Sequence, residues 1–371
     1  MSATTPLPSL KDITSLPKVE LHAHLFGSIR VPVLEEIRKR AAEENGTGAT
    51  AETASANAVR LEGNCIGMGD AFAYFSAVYQ IVKRKADIGY ALRTVLADFN
   101  RDNVVYLELR TTLKTIPEEA VDPASYVALL VEELQSAQKK YPMTVRLVLS
   151  LNRAALTCAE RAREEVTKIF ELAELYPEWI VGIDIAGDPR KGDILPALAL
   201  LDEEVMKPSG RMHGKLKLTI HTAELEGCEA ETEATLQLKP HRIGHGCYLA
   251  DSQREWLVKE KICVEVCPTS NMCTLKLQNL KDHHFAYYYN KKLHRNVCVC
   301  TDDVGLFDTS LSQELYAMSQ AYNLSLRDVY ELQRSALAAA FCRAEDKALI
   351  EERFFRSASL RNMNKGDVCT L

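Results

Sequence analysis

Four side chains in this sequence are of the types that bind divalent metals, and each stands at the end of an apolar run. His22 and His24 fall in Leu21-His22-Ala23-His24-Leu25, His221 in Thr219-Ile220-His221-Thr222, and Asp302 in Cys300-Thr301-Asp302-Asp303. In a strand, residues i and i+2 share a face, so His22 and His24 point the same way. Two imidazoles on one face make a poor apolar core and a good pair of ligands. Taken alone, the pair reads equally as two hydrogen-bonded core histidines, and Asp302 alone reads as a turn residue or helix cap. Three imidazoles and a carboxylate at the same end of one sheet would hold a metal ion and leave a position for water. Zinc suits that donor set.

A metal ion lowers the pKa of bound water towards neutrality, and hydrolysis then needs a proton donor and a group to orient the water. Glu224 lies three residues past His221, His245 sits between Gly244 and Gly246, and Asp303 adjoins Asp302. These are the candidates. Their plainer readings are a helix cap for Glu224, a turn at Gly244-His245-Gly246, and an outer partner of a ligand histidine for Asp303.

These residues need a scaffold that brings distant segments to one end. Strand-like runs occur near 19–25, 104–109, 143–149, 180–185, 216–221, 242–244, 262–266 and 297–301. Helical spacing fills 30–42, 68–100, 123–140, 158–175, 194–206, 229–237, 251–259, 280–289 and 310–355. Eight strands alternating with helices predict an α/β fold, a parallel (β/α)8 barrel of the TIM type with extra helices. The polar and glycine-rich clusters fall at the C-terminal strand ends, where such barrels keep their active sites. One barrel domain is expected, with its core at about 14–345. The small, polar, aperiodic stretch 43–64 reads as a surface insertion, and 310–355 as C-terminal helices.

The totals set bounds. The chain has 371 residues, 47% hydrophobic and 26% charged, an ordinary soluble balance. A net charge of −6 argues against a nucleic-acid polymer as partner. No apolar run approaches the roughly 18 residues of a membrane span. The first dozen residues have neither the basic start nor the apolar core of a signal peptide. An odd count of 11 cysteines, with Cys263, Cys298 and Cys300 in strand-like runs, suits buried thiols in a reducing cytoplasm. Cys267 and Cys273 lack a zinc-knuckle spacing.

At this point the motifs carry a resemblance. Leu21-His22-Ala23-His24-Leu25 with Gly27-Ser28 resembles the N-terminal signature of the adenosine and AMP deaminase family. So do Gly182-Ile183-Asp184-Ile185-Ala186-Gly187-Asp188, His221 with Glu224, Arg242-Ile243-Gly244-His245-Gly246, Cys267-Pro268-Thr269-Ser270-Asn271 and Thr301-Asp302-Asp303, in the family's order. Separated motifs in register are far more specific than any one of them. The resemblance implies a metal-dependent hydrolase of purines with one zinc per subunit, bound by His22, His24, His221 and Asp302. It implies that Glu224 protonates N1, that His245 helps deprotonate and orient the water, that Asp303 meets N7, and that the Gly187 backbone meets N3.

The run Leu109-Arg110-Thr111-Thr112-Leu113-Lys114 resembles the adenosine deaminase-like subgroup, the N6-methyl-AMP deaminases. Hydroxyls and a cation there are groups a 5′-phosphate needs. Ser28, Thr111, Thr112 and Lys114 are accordingly the expected contacts to the rest of the substrate. Three departures bear on this. Phe26 stands where the subgroup has Asn, Leu113 where it has Pro, and His221-Thr222-Ala223-Glu224 where His-Ala-Gly-Glu is usual. The expected activity is deamination of N6-methyl-AMP to IMP and methylamine by a cytoplasmic monomer. The alternatives are an adenosine deaminase acting on the free nucleoside and a non-catalytic nucleoside-binding barrel.

Overall fold

The computed structural model describes residues 6–44, 68–293 and 296–356. Eight parallel strands run in sequence order: β1 (Lys18–His24), β2 (Val104–Thr112), β3 (Thr144–Asn152), β4 (Ile180–Ala186), β5 (Lys217–Thr222), β6 (Arg242–His245), β7 (Cys263–Val266) and β8 (Val297–Val299). Helices cover the outside, which is why the strands are buried along nearly their whole length. The ring closes at Asp302, three residues beyond the end of β8. Its N–H donates to His22 O at 2.8 Å, and His24 N–H donates to its carbonyl at 2.9 Å. The expected barrel is therefore present.

The interior beneath the strand ends is charged. Glu108, Arg110, Arg242 and Glu265 are each 0% exposed. Arg242 pairs with Glu108 and, at 2.6 Å, with Glu265, while Arg110 pairs with Glu265 and lies 3.5 Å from Asp184. The Arg242 guanidinium also lies 3.4 Å from the centre of the Phe341 ring and donates to Ala339 O at 2.8 Å. A buried charge keeps its ionised form only where partners replace water, and here each charge has more than one.

Some helices differ from expectation. The run 68–100 is two helices, Met68–Ile81 and Lys85–Arg101. The second starts where the Asp87 carboxylate accepts from Arg84 N–H at 3.2 Å, so a local cap ends a pattern whose apolar spacing continues across the break. The helix expected at 194–206 is regular over Leu195–Leu201 and widens to a π-type turn over Asp202–Met206. The C-terminal stretch divides into Leu311–Tyr322, Leu326–Ala339 and Ala344–Ile350, closed by a π-type turn over Glu351–Arg356. Three short helices had too little periodic sequence to read: Leu10–Ser15, Pro268–Thr274 and Val304–Phe307. The first is held by buried Lys18, whose ammonium donates to Ile13 O, Thr14 O and Leu16 O at 3.3, 3.1 and 2.9 Å. Of the insertion at 43–64, the helix Val31–Glu44 includes the first two residues, and the rest lies outside the described residues.

Removing one member of the interior network leaves the others buried and uncompensated. Arg242→Met is expected to cost about 3–5 kcal/mol of stability, read as a lowered urea midpoint. An unchanged midpoint would show that Glu108 and Glu265 do not depend on Arg242.

Candidate active site

The strand ends bring the four candidate ligands together. His24 Nε2 lies 3.2 Å from His221 Nε2, and Asp302 Oδ1 lies 3.4 Å from His22 Nε2 and 3.3 Å from His24 Nε2. One donor atom from each of the four falls within 4.8 Å of the others. Zinc–nitrogen bonds of about 2.0–2.1 Å at tetrahedral angles would put neighbouring donors roughly 3.3 Å apart. The spacing and the donor types both fit such an ion. A second group, His245, Cys267 and Asp302, shares its carboxylate with the first.

The outward nitrogens of two ligand rings are fixed from behind. His22 Nδ1 bonds Glu265 Oε2 at 2.8 Å and His221 Nδ1 bonds Asp184 Oδ1 at 3.0 Å. Each carboxylate accepts a hydrogen bond from Nδ1–H, which leaves Nε2 facing the centre. Burial would raise both carboxyls, but Arg110 and Arg242 hold Glu265 well below the usual range, and His221 and Arg110 do the same for Asp184. The outer partners of the ligand histidines are thus Glu265 and Asp184, and Asp303 is not one. Gly244 makes room for this packing, since a Cβ there would come 2.9 Å from His22 Cε1.

The turns after the strands are conformationally unusual. Ala223, His245 and Asp302 have φ of +52°, +60° and +61°. That is the left-handed region, which non-glycine residues pay roughly 1–3 kcal/mol to occupy. Ala223 stands where the resembling motif has Gly, so this chain keeps the turn without the residue that adopts it most readily. The turn carries Glu224 over the cavity. Burial pushes the Glu224 carboxyl up to about 7, against the pull of His221 and with reinforcement from Asp302. Its Oε2 is buried without a hydrogen bond.

Asp302 and Asp303 are driven apart in acidity. Burial would raise Asp302, but the bond from His22 and the neighbouring imidazoles hold it well below the usual range. Burial, and then the Asp302 charge, hold Asp303 well above it. Asp303 is therefore a buried acid with a proton to donate, and its Oδ1 has no partner. Gly27 leaves the space it occupies, because a Cβ on Gly27 would lie 1.7 Å from that oxygen.

The His245 ring is oriented by a chain of bonds with a fixed direction. Phe285 N–H donates to His283 Nδ1 at 3.0 Å, so neutral His283 carries its proton on Nε2. Burial pushes His283 down to about 3, which keeps it neutral. His283 Nε2 donates to Asn271 Oδ1 at 3.1 Å, and Cys267 N–H donates to the same oxygen at 3.2 Å. The Asn271 amide nitrogen then faces His245 Nδ1 at 3.1 Å and donates to it. Neutral His245 must carry its proton on Nε2, which lies 3.8 Å from Glu224 Oε1 and 4.0 Å from Asp302 Oδ2.

These groups line a cavity of about 310 Å³. Gly187, at φ +118°, and Thr112 and Lys114 are on its wall. Thr111 reaches the wall too, but its hydroxyl is bonded to the Tyr126 hydroxyl at 2.6 Å. Ser28 is behind the wall, buried, with its hydroxyl unpartnered. Unforeseen contributors are Phe72, Phe75 and Tyr79, spaced along one face of the helix Met68–Ile81 and lining the cavity. Their helical spacing was visible in the sequence, but not what they would face.

Nine cysteines in the described residues are free thiols, with Cys263, Cys298 and Cys300 buried as expected and Cys158 exposed. No described helix is long and apolar enough to cross a membrane.

Comparison with known proteins places this geometry in a family. The adenosine deaminase family profile matches residues 17–356. The chain is 34% identical to the N6-mAMP deaminase of Arabidopsis thaliana, across 94% of this chain and 98% of that protein. It is 32% identical to the N6-Methyl-AMP deaminase of Danio rerio, across 91% and 94%. The structure of Arabidopsis ADAL complexed with IMP matches with a TM-score of 0.80 at 33% identity, covering 94% of this chain and 98% of that one. Profile, sequence and fold agree over nearly the full length, and the chain belongs to the adenosine deaminase family.

Proposed function

We propose that this protein is a zinc-dependent hydrolase that removes the C6 amino or alkylamino group of a purine nucleoside monophosphate, with N6-methyl-AMP going to IMP and methylamine. The observation that carries the reading is the pairing, in one cavity, of a three-imidazole, one-carboxylate cluster with two buried carboxyls that keep protons near neutrality. Zinc held by His22, His24, His221 and Asp302 would supply water activated for attack at neutral pH. The names of the relatives support the substrate, and so does the binding of IMP by a relative of the same fold.

The chain's own residues account for the remaining needs of the reaction. Attack at C6 places negative charge on the ring, and protonated Glu224 neutralises it by donating to N1. Protonated Asp303 donates to N7, which anchors the base in one orientation. The Gly187 backbone meets N3 across the cavity. His245 presents Nε2–H, with Nδ1 already occupied by Asn271. In its neutral form it therefore orients the attacking water by donating a hydrogen bond. Thr112 and Lys114 stand further along the wall, where a hydroxyl and an ammonium would bind the 5′-phosphate.

Comparing kcat/KM for N6-methyl-AMP, AMP and adenosine tests the substrate. N6-methyl-AMP is expected to exceed adenosine by about 10⁴-fold, the scale of discrimination when a site's polar groups are left unpaired. Turnover confined to adenosine would falsify the monophosphate reading. Glu224→Gln is expected to retain its metal and lose about 10²–10⁴-fold in kcat, measured by metal analysis and single-turnover kinetics on one preparation. Parental kcat in that variant would remove Glu224 as the proton donor. Asp184→Asn should weaken zinc affinity roughly 10–100-fold in a chelator competition. An unchanged affinity would mean that the His221 ring is held by packing alone.

A further inference from the structure

Lys114 is a largely buried amine without a counter-ion. Burial pushes its pKa down to about 7, and burial is the only influence of note. Among the described residues no carboxylate lies within ion-pairing distance of it. What it has instead is two ring faces. Its Nζ lies 3.5 Å from the centre of the Tyr79 ring and 4.6 Å from that of Phe26. The two rings meet edge to face with centroids 5.3 Å apart. The Tyr79 hydroxyl interacts with the Thr112 side chain at the end of β2. All four residues line the cavity.

We propose that Phe26 and Tyr79 form an aromatic seat that holds the Lys114 ammonium on the cavity wall, and that this seat sets the preference of the site for substrates with a 5′-phosphate. The proposal rests on the monophosphate reading and deepens it. Ring quadrupoles attract a cation but carry no net charge, so they position the ammonium without neutralising it. A carboxylate in the same place would position it and compete with the phosphate. The seat leaves the charge open to an incoming anion, and the gain on binding a dianion is larger than for the 5′-hydroxyl of a nucleoside. Phe26, which has no hydrogen-bonding group, thereby serves the phosphate end through Lys114. Both rings are positioning residues, since neither bonds the phosphate.

The test uses the full-length zinc-loaded enzyme and variants Phe26→Leu, Tyr79→Leu, Tyr79→Phe and Lys114→Met. Two quantities are read: the ratio of kcat/KM for N6-methyl-AMP over N6-methyladenosine, and the inhibition constant of ribose 5-phosphate. Phe26→Leu and Tyr79→Leu are expected to lower the ratio by about 3–20-fold, the range of a cation–π contact. The change should lie in KM with kcat held, and ribose 5-phosphate should weaken by a similar factor. Lys114→Met should lower the ratio further, and Tyr79→Phe, which keeps the ring face, should retain it. If the parent shows a high ratio and both leucine variants stay within twofold of it, the seat is refuted while the monophosphate reading stands. If the parent ratio is near one, the monophosphate reading fails and takes the seat with it. A Phe26→Leu protein that does not fold leaves Tyr79→Leu, whose ring is on the open cavity wall, to decide the matter.

Discussion

The barrel and the metal cluster depend on the same pair of hydrogen bonds. Asp302 closes the ring by donating its N–H to His22 O and accepting from His24 N–H. Its side chain reaches the two imidazoles on either side of the peptide it pairs with. A shift in the closure register would move the carboxylate along β1 and reverse the face it presents. Three of the four ligands are thus placed by the backbone pairing that completes the sheet. β8 has only three residues of regular strand, so the closure rests heavily on the residues that form the site. Asp302 holds a left-handed φ to do this, a local cost that the surrounding pairing has to offset.

Beneath the cluster lies a layer whose value is orientation rather than stability. A buried ion pair is no more stabilising than well-packed apolar groups of similar volume. The interior charges do something apolar groups could not, because Arg110 touches both Glu265 and Asp184, the two carboxylates behind His22 and His221. Arg110, with Arg242 at Glu265 and His221 at Asp184, keeps both outer carboxylates ionised, and each carboxylate orients one ring. Asn271 and His283 do the same for His245 with neutral groups. His22, His221 and His245 have different neighbours and one common outcome, a ring orientation set before any ligand arrives.

The candidate ligands were legible in the sequence because strand parity and apolar flanks are local. His22 and His24 declare their common face within five residues. His221 and Asp302 declare themselves by ending apolar runs. Their outer partners could not be read this way. Glu265 and Asp184 are single carboxylates inside apolar strands, and nothing nearby says which imidazole each will meet across the barrel. Thr111 lines the cavity, with its hydroxyl turned to Tyr126. Nothing local in the run from Arg110 to Lys114 shows that this hydroxyl would meet Tyr126 on the helix Pro123–Lys140. The continuous helix expected at 68–100 failed for the opposite reason: its apolar spacing persisted while a cap at Arg84 and Asp87 interrupted the backbone.

The two ends of the cavity are built differently. The reacting end comes from strand termini and the turns after them, held by the sheet and by the charged layer below. The far end comes from the residues just past β2 and one face of the helix Met68–Ile81, whose Phe72, Phe75 and Tyr79 are outside the barrel's own strands. Mutations in the first set disturb ligand geometry and barrel closure together, so that end has little freedom to vary. The second set can change ring, cation or hydroxyl without touching the sheet. The departures from the resembling subgroup divide along this line. Phe26 belongs to the far end, where it meets Tyr79 and Lys114, while Leu113, just past β2, packs against the core. The one departure at the reacting end, Thr222-Ala223, keeps the left-handed turn that delivers Glu224. The metal-ligand candidates are constrained by what closes the barrel, and the far end of the cavity is lined by residues that the barrel leaves free to change.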